Sequence, residues 1–277
     1  MIYCKIKGGL GNMLFQIAAV KKIAKLKGVE SCFPNFSNHL AYANKRWHLQ
    51  YNKNKGDFKN LNDSREYRTF LDLNEKPSKT NTRVKFFNYP FHYTDFIPKE
   101  NSFIIDGYFQ SEKYFYDIRE ELLNTFKPNK ETEEIISQKY GHVLRTKTVS
   151  LHIRRGDYVN LKNLYNLLNK EYYTKSLDVV GDYENCLIFS DDLAWCKKNL
   201  DFKNMIFIDN EKDYIEMFLM SKCQSNIISN SSFSWWGAWL NQNSESKIIA
   251  PDKWFEKGYS NLNEKDIIPD NWIRIGI

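Results

Sequence analysis

The stretch TVSLHIRRGD, Thr148–Asp157, is the clearest guide to the fold of this chain. Its first part, Thr148–Ile153, is apolar and rich in β-branched side chains, which predicts a buried β-strand. The strand runs directly into Arg154, Arg155, a glycine and Asp157. Charged side chains are rarely buried without a partner, so we expect the two arginines to hold an anion at this strand end.

Short apolar runs continue downstream at regular spacing. The further predicted strands are CLIFS (Cys186–Ser190), MIFID (Met205–Asp209), NIISN (Asn226–Asn230) and KIIA (Lys247–Ala250). Segments with helical periodicity separate them, namely NKEYYTKSLDVV, DLAWCKKNL, KDYIEMFLMSKC and FSWWGAWLNQ. Strands that alternate with helices in this way predict a parallel sheet covered on both faces.

The beginning of the chain predicts a second unit of the same class. IYCKIKGGLGN is typical of a strand and a glycine turn, and MLFQIAAVKKIAKLKG of a helix that ends at Gly28. The run KPNKETEEIISQKYG has no strand pattern, so we place the domain boundary between residues 128 and 145 and divide the chain into 1–140 and 141–277. The fold class predicted is α/β, with two Rossmann-like domains facing a cleft and ligands at the carboxyl ends of the strands.

Three polar clusters follow strands of the second domain, and the first contains the arginines. Side chains alternate along a strand, so His152 and Arg154 share a face while Arg155 begins the loop. Adjacent guanidinium groups are bidentate donors suited to phosphate oxygens, and Asp157 is placed to hold one of them. The alternative is an ion pair that closes the domain. We favour a ligand site because several polar strand ends converge.

The second cluster is FSDD, Phe189–Asp192, again directly after an apolar strand. A carboxylate there, from Asp191 or Asp192, can accept hydrogen bonds from a ring N–H and an exocyclic amine, as guanine presents. The alternative is that Ser190 or Asp191 caps the helix that begins at Leu193.

The third cluster is SNSSFSWWGAW, Ser229–Trp239, where a strand ends in hydroxylic residues and a helix begins. Backbone N–H groups and serine hydroxyls at such a helix start can bind an anion, helped by the helix dipole. Trp235, Trp236 and Trp239 lie at i, i+1 and i+4, so Trp235 and Trp239 share a helix face, which predicts core packing.

The first domain carries GGLGN, Gly8–Asn12, between its strand and its helix. These glycines either let the backbone approach a ligand or make a tight turn. A dinucleotide fingerprint needs a third glycine where Leu14 stands, which argues against an NAD-dependent oxidoreductase. The sequence has no D-x-D triplet and no Cys/His metal spacing, so we expect no metal. If a diphosphate leaves in this site, the arginines must take the place of the metal.

The amino-acid composition limits the classes of protein to which this chain can belong. A hydrophobic fraction of 42% over 277 residues supports substantial cores, and a net charge of +6 suits an anionic ligand without requiring nucleic acid. The five cysteines form no CxxC pair, and Cys4, Cys186 and Cys223 lie in apolar runs, which indicates buried thiols and a reducing compartment. We find no signal segment and no apolar run of about 20 residues, so we expect a cytoplasmic protein, at most peripheral on a membrane.

Taken together, the motifs resemble the bacterial α-1,2-fucosyltransferases of glycosyltransferase family 11. The run His152–Asp157 is similar to the HxRRxD motif of α-1,2-, α-1,6- and O-fucosyltransferases. Further family-like stretches stand in the right order at Gly8–Asn12, Gly107–Phe115 (GYFQSEKYF), Phe189–Asp192, Asn230–Asn241 (NSSFSWWGAWLN) and Ala250–Phe255 (APDKWF). The likeness spans nearly the whole chain. It departs at Met13, where glutamine is usual, and at CQSN, where a more basic run is common.

The resemblance implies a GT-B-like fold, GDP-β-L-fucose as co-substrate, no cofactor, and metal-independent inverting transfer to a sugar hydroxyl, which we expect to be O2 of a terminal galactose. It implies that Arg154 and Arg155 bind the diphosphate, without separating their roles. It also implies that His152 lies against the nucleotide and that Asp191 or Asp192 reads guanine. The remaining candidates for the nucleotide site are Gly9, Gly11, Asn12, Ser231, Ser232, Phe233 and Ser234.

We expect a single displacement for which the sequence does not single out the general base. The candidates are Asp157, Asp106 and Glu112. We expect Asp157 to pair with an arginine instead of acting as the base. Residues 31–100, the least patterned part, are expected to shape the pocket for a galactoside or a lipid-linked oligosaccharide. The alternatives are a GT-B transferase that uses another sugar nucleotide and a non-catalytic carbohydrate-binding protein. The second alternative has no need of paired arginines at a strand end.

Overall fold

The strand predicted at Thr148–Ile153 is present with those bounds and lies inside the larger of two parallel sheets. The computed structural model describes residues 1–34, 36, 67–76, 84–256 and 262–276. The chain folds as two compact units, one comprising Met1–Asn129 and Lys265–Ile267 and the other Lys130–Glu264 and Ile268–Ile277.

The first unit contains a parallel sheet with the strand order β2-β1-β4-β3. Its strands are β1 Ile2–Cys4, β2 Ser31–Cys32, β3 Lys85–Asn88 and β4 Phe103–Asp106. Helix α1, Leu10–Lys27, packs on β1, and a shorter helix α2, Arg119–Thr125, follows two 3-10 turns at Glu112–Tyr114 and Tyr116–Ile118. Gly28 ends α1 with a φ of 61°, in the left-handed region that favours glycine, as predicted.

Much of the segment expected to shape the acceptor pocket lies outside the described residues. Of residues 31–100, positions 35, 37–66 and 77–83 are not described. Strand β3 lies in this poorly patterned segment, and the sequence did not predict it.

The second unit contains a parallel sheet with the order β10-β9-β8-β5-β6-β7. Its strands are β5 Thr148–Ile153, β6 Asn185–Ser190, β7 Met205–Phe207, β8 Ser225–Ile227, β9 Ile248–Pro251 and β10 Ile273–Ile275. The predicted strands are all present, and β10 is an addition. The strand order changes direction at β5: β6 and β7 lie on one side of β5, and β8 to β10 lie on the other side.

A helix precedes β5, and further helices separate the strands where the periodicity predicted them. They are α3 Lys130–Leu144, α4 Lys170–Val180, α5 Leu193–Asn199, α6 Asp213–Ser221 and α7 Ser232–Trp239. The two units divide before α3, inside the segment 128–145 but ahead of residue 140. Helix α3 goes with the second unit because it packs against α6.

The core of the second unit lies on both faces of β5, whose residues are all buried. Trp235 and Trp236 of helix α7 are also fully buried, and Trp235 stacks on Trp239 with ring centroids 6.0 Å apart. The core packing predicted for this tryptophan pair is therefore confirmed. All five cysteines are free and buried, as expected for thiols in apolar runs.

Candidate functional site

The polar residues of the second unit gather where its sheet reverses. In open α/β sheets, ligands bind outside the carboxyl ends of the strands at such a switch point. Here β5 is hydrogen-bonded to β6 and to β8. The loops that follow these three strands carry the three clusters singled out in the sequence, so the structure brings them to one edge of the sheet.

His152 bridges the switch point. Its Nδ1 shares a hydrogen bond of 2.7 Å with Oγ of Ser229, and its ring lies 5.5 Å from that of Phe233. Only 5% of His152 is exposed, and this burial lowers its pKa from 6.5 to about 3. The imidazole is therefore neutral at physiological pH, and the positive charge at this edge comes from the arginines.

Arg154 is held between two carboxylates. Its Nη2 donates to Oδ1 of Asp157 at 2.7 Å, and its Nη1 lies 2.9 Å from Oδ2 of Asp191. The guanidinium carbon also lies 5.3 Å from the ring centroid of Tyr158, whose hydroxyl donates to the carbonyl of Asn230. Asp157 thus holds an arginine, as predicted, and Arg154 is paired with two carboxylates.

Arg155 is held differently. Its main-chain N–H donates to Oδ1 of Asp191 at 2.8 Å, and its Nε donates to Oδ2 of Asp192 at 3.3 Å. Its guanidinium carbon lies 3.8 Å from the ring centroid of Trp195. Within the described part of the chain, its two terminal Nη groups have no acceptor, so four N–H donors are left over.

The two aspartates of FSDD have distinct structural tasks. Asp191 joins both arginines, whereas Asp192 caps helix α5 by accepting the main-chain N–H of Trp195 at 3.1 Å. The cap expected at Ser190 or Asp191 is therefore one or two residues later, because Ser190 instead accepts the N–H of Asp192. Guanine recognition by either carboxylate stays a prediction.

At the start of helix α7, some residues are buried and hydrogen-bonded within the protein, whereas others are partly exposed. Ser231 precedes the helix without a side-chain cap, and the first turn holds no acidic residue. Ser234 is fully buried and donates to the carbonyl of Ser231 at 3.3 Å. Ser232 and Phe233 are partly exposed, whereas Ser231 and Ser234 are buried.

A second switch point lies in the first unit, between β1 and β4. Gly8 has a φ of 82°, and a Cβ there would lie 2.6 Å from Nδ2 of Asn12, so this turn requires glycine. A Cβ at Gly9 would meet nothing within 4 Å, so the backbone is open there. Gly11 is buried inside helix α1, and Oδ1 of Asn12 accepts from Gln110 at 2.5 Å.

Several residues that the sequence did not single out shape these two edges. Gln16 is fully buried and donates to the carbonyls of Lys7 and Asn12, both at 2.8 Å, which fixes the glycine turn. Lys7 pairs with Asp106 at 2.5 Å and lies 4.7 Å from the ring centroid of Tyr108. In the second unit, Trp195 was not predicted either, although it stands in the first turn of a helix that begins directly after FSDD.

Neither a metal site nor a membrane span is found in the described ranges. No group of three or more His, Cys, Asp or Glu side chains there could hold a metal ion. The same ranges contain no helix that combines the length and the apolar character needed to span a bilayer.

Comparison with known proteins gives matches over the whole chain. The model of the family described as glycosyl transferase family 11 matches residues 1–276. An α-1,2-colitosyltransferase of Escherichia coli is 33% identical and the alignment covers 99% of each chain. The O-antigen biosynthesis glycosyltransferase WbnK of Escherichia coli is 29% identical, over 99% of this chain and 100% of the relative.

Solved structures of low sequence identity share the fold. The NodZ α-1,6-fucosyltransferase soaked with GDP-fucose superposes with a TM-score of 0.51 at 14% identity, covering 91% of this chain and 94% of that one. The fucosyltransferase NodZ from Bradyrhizobium gives a TM-score of 0.50 at 13% identity, over 85% and 91% of the two chains. This likeness confirms the predicted α/β, GT-B-like fold.

Proposed function

This chain belongs to glycosyl transferase family 11 and is a glycosyltransferase, and we propose that it moves L-fucose from GDP-β-L-fucose to O2 of a terminal galactose. The observation that carries the proposal is the pair Arg154 and Arg155, braced by three carboxylates at the switch point of the second sheet. Preorganised guanidinium groups of this kind suit a diphosphate leaving group. We assign the donor to this unit.

The reaction we propose is a single displacement. The acceptor oxygen bonds to C1 of fucose as the bond from C1 to the β-phosphate oxygen breaks, and GDP leaves with the electron pair. The hydroxyl proton of the acceptor passes to a general base. Attack opposite the leaving group turns the β-donor into an α-linkage. Asp157 lies 2.7 Å from Arg154, so we assign it to holding that arginine and not to accepting the proton.

No metal enters the proposed mechanism. The charge of the departing diphosphate is stabilised by Arg154 and Arg155, helped by the helix dipole and N–H groups at the start of α7. The neutral His152 lies beside Ser229 and Phe233 and contributes a polar, uncharged wall to the nucleotide site.

For the acceptor we propose the first unit. Lys7, Asp106 and Tyr108 lie at the carboxyl ends of its central strands, and 38% of Tyr108 is exposed. Aromatic faces beside ionised hydrogen-bonding groups suit a sugar ring, which presents an apolar face and polar hydroxyls. A relative is named for O-antigen biosynthesis, and this supports a lipid-linked oligosaccharide, met at the cytoplasmic face of the membrane, as the acceptor.

A second donor deserves a direct comparison because one relative is named an α-1,2-colitosyltransferase. Colitose is L-fucose without the hydroxyl at C3, so the two GDP sugars share the nucleotide and differ in one sugar hydroxyl. The arginine site fits both donors, and the choice depends on contacts to C3 of the sugar.

A donor panel tests the proposal. The purified protein is titrated with GDP, UDP, GDP-L-fucose and GDP-colitose by calorimetry, and transfer to lactose is measured with each sugar nucleotide. We expect GDP to bind at least 10-fold more tightly than UDP and GDP-L-fucose to be the better donor. Equal binding of UDP would refute the guanine-nucleotide site, and preferential turnover of GDP-colitose would replace fucose by colitose.

A further inference from the structure

Arg155 combines an unusual set of contacts. Its side chain is only 14% exposed, but its one side-chain hydrogen bond to another described residue is the long one from Nε to Asp192. The flat face of its guanidinium lies against the indole of Trp195, 3.8 Å from carbon to ring centroid. An aromatic face holds a guanidinium without using its N–H groups, which all point outward in the plane. The terminal donors of Arg155 therefore remain available.

Arg154 shows what the alternative arrangement does. Two carboxylates, Asp157 and Asp191, take its terminal nitrogens, so it is fixed through the donors themselves. The two arginines are neighbours in sequence, yet one is held by its edges and the other by its face. This difference gives the residue under Arg155 a specific task.

Trp195 is itself fixed from two sides. Its main-chain N–H donates to Oδ1 of Asp192 at the start of helix α5, and its side chain packs against the core of the second unit. Asp192 uses its other oxygen for Nε of Arg155. One carboxylate thus joins the backbone of Trp195 to the guanidinium of Arg155.

We propose that Trp195 is a positioning residue for Arg155: its indole holds the guanidinium plane so that both terminal nitrogens point at a ligand with paired oxygens. The inference rests on the proposed function, in which that ligand is the diphosphate of the sugar nucleotide. Trp195 touches neither the nucleotide nor the sugar and acts only through Arg155. Because the indole is covered by Arg155, it does not stack on the base.

Single substitutions give the first test, with GDP and guanosine as the ligands. We expect Trp195→Leu to weaken GDP binding about 10-fold and to leave guanosine binding within 2-fold, because only the diphosphate meets Arg155. Trp195→Phe keeps an aromatic face and should recover most of the loss. Phe202→Leu is the matched control, since Phe202 packs against the same core without an arginine contact, and its GDP affinity should stay within 2-fold.

A double-mutant cycle separates positioning from general damage. In an Arg155→Ala background, Trp195→Leu should cause no further loss of GDP affinity, because its effect passes through the missing guanidinium. A further 10-fold loss there would overturn the inference, as would equal losses of GDP and guanosine binding or no effect of Trp195→Leu. Failure of the proposed function looks different, because then the unchanged protein itself binds GDP no better than UDP.

Discussion

Nη1 of Arg154 lies 2.9 Å from Oδ2 of Asp191, so an ion pair joins the carboxyl ends of the neighbouring strands β5 and β6. The other oxygen of Asp191 accepts the main-chain N–H of Arg155. One carboxylate therefore fixes the side chain of one arginine and the backbone of the next. Its loss should disturb the stability of this edge and its ability to bind an anion.

Asp191→Asn should lower the free energy of unfolding by about 1–3 kcal/mol, the usual worth of a hydrogen bond to a charged group. Urea unfolding followed by circular dichroism measures it. The control is Asp209→Asn, since Asp209 and Lys197 are 3.7 Å apart and both more than half exposed. Such a surface pair contributes about 0–1 kcal/mol. Equal effects of the two changes would show that Asp191 does not brace the site.

Arg155→Ala should reduce kcat about 10²- to 10³-fold, the usual effect of removing one preorganised donor from a developing charge. Steady-state transfer of fucose to lactose measures the change. Lys198→Ala, which removes an exposed cation from the same region, is the control and should leave kcat within 2-fold. A kcat of Arg155→Ala within 5-fold of the unchanged protein would remove this arginine from the mechanism.

Acid should destabilise the protein through His152. Burial lowers its pKa from 6.5 to about 3. Below pH 6.5, His152 is therefore protonated in the unfolded chain but stays neutral in the folded protein. This contribution to stability is complete above pH 6.5 and is lost progressively as the pH falls toward 3. Over pH 6 to 4, its slope approaches about 1.4 kcal/mol per pH unit.

His152→Gln should remove that slope, which urea titrations at several pH values can measure. His142→Gln removes an exposed imidazole and serves as the comparison. If the unfolding free energy of His152→Gln fell with pH as steeply as that of the unchanged protein, the imidazole would not be the group responsible.

Two neighbouring glycines of the first unit, Gly8 and Gly9, should differ in how much stability a serine costs. Gly8→Ser should cost about 1–3 kcal/mol of stability, because its φ of 82° is unfavourable for serine and the Cβ would lie 2.6 Å from Asn12. Gly9→Ser should be neutral or stabilising, because Gly9 has extended backbone at the start of α1 and serine is a good cap there. Thermal unfolding compares them, and equal losses would contradict the geometry.

The sequence predicted β5 to the residue because an apolar run is bounded by Lys147 and Arg154. It could not predict β10, since Ile273–Ile275 is a short, partly exposed edge strand that forms only because β9 lies beside it. A pattern of this kind carries little information without its partner strand.

The sequence predicted that three polar clusters meet at one edge of the second sheet, and among their contacts it predicted the one between Asp157 and an arginine. The parallel register that pairs Ile153 with Ser190 brings Arg154 and Arg155 beside Asp191 and Asp192, and no sequence pattern specifies register between distant strands. The stacking of Trp195 on Arg155 follows from the same register and from the cap at Asp192. The sequence therefore assigned Asp191 or Asp192 to guanine recognition and did not show that both aspartates also pair with the arginines.

The most direct test of the account is one transfer reaction with a defined product. The protein is incubated with GDP-β-L-fucose and lactose, with and without EDTA, and the product is examined by NMR. We expect fucose α-linked to O2 of galactose, formed at the same rate in both samples. A β-linked product would contradict the single displacement, and a rate abolished by EDTA would contradict the assignment of the leaving diphosphate to the arginines.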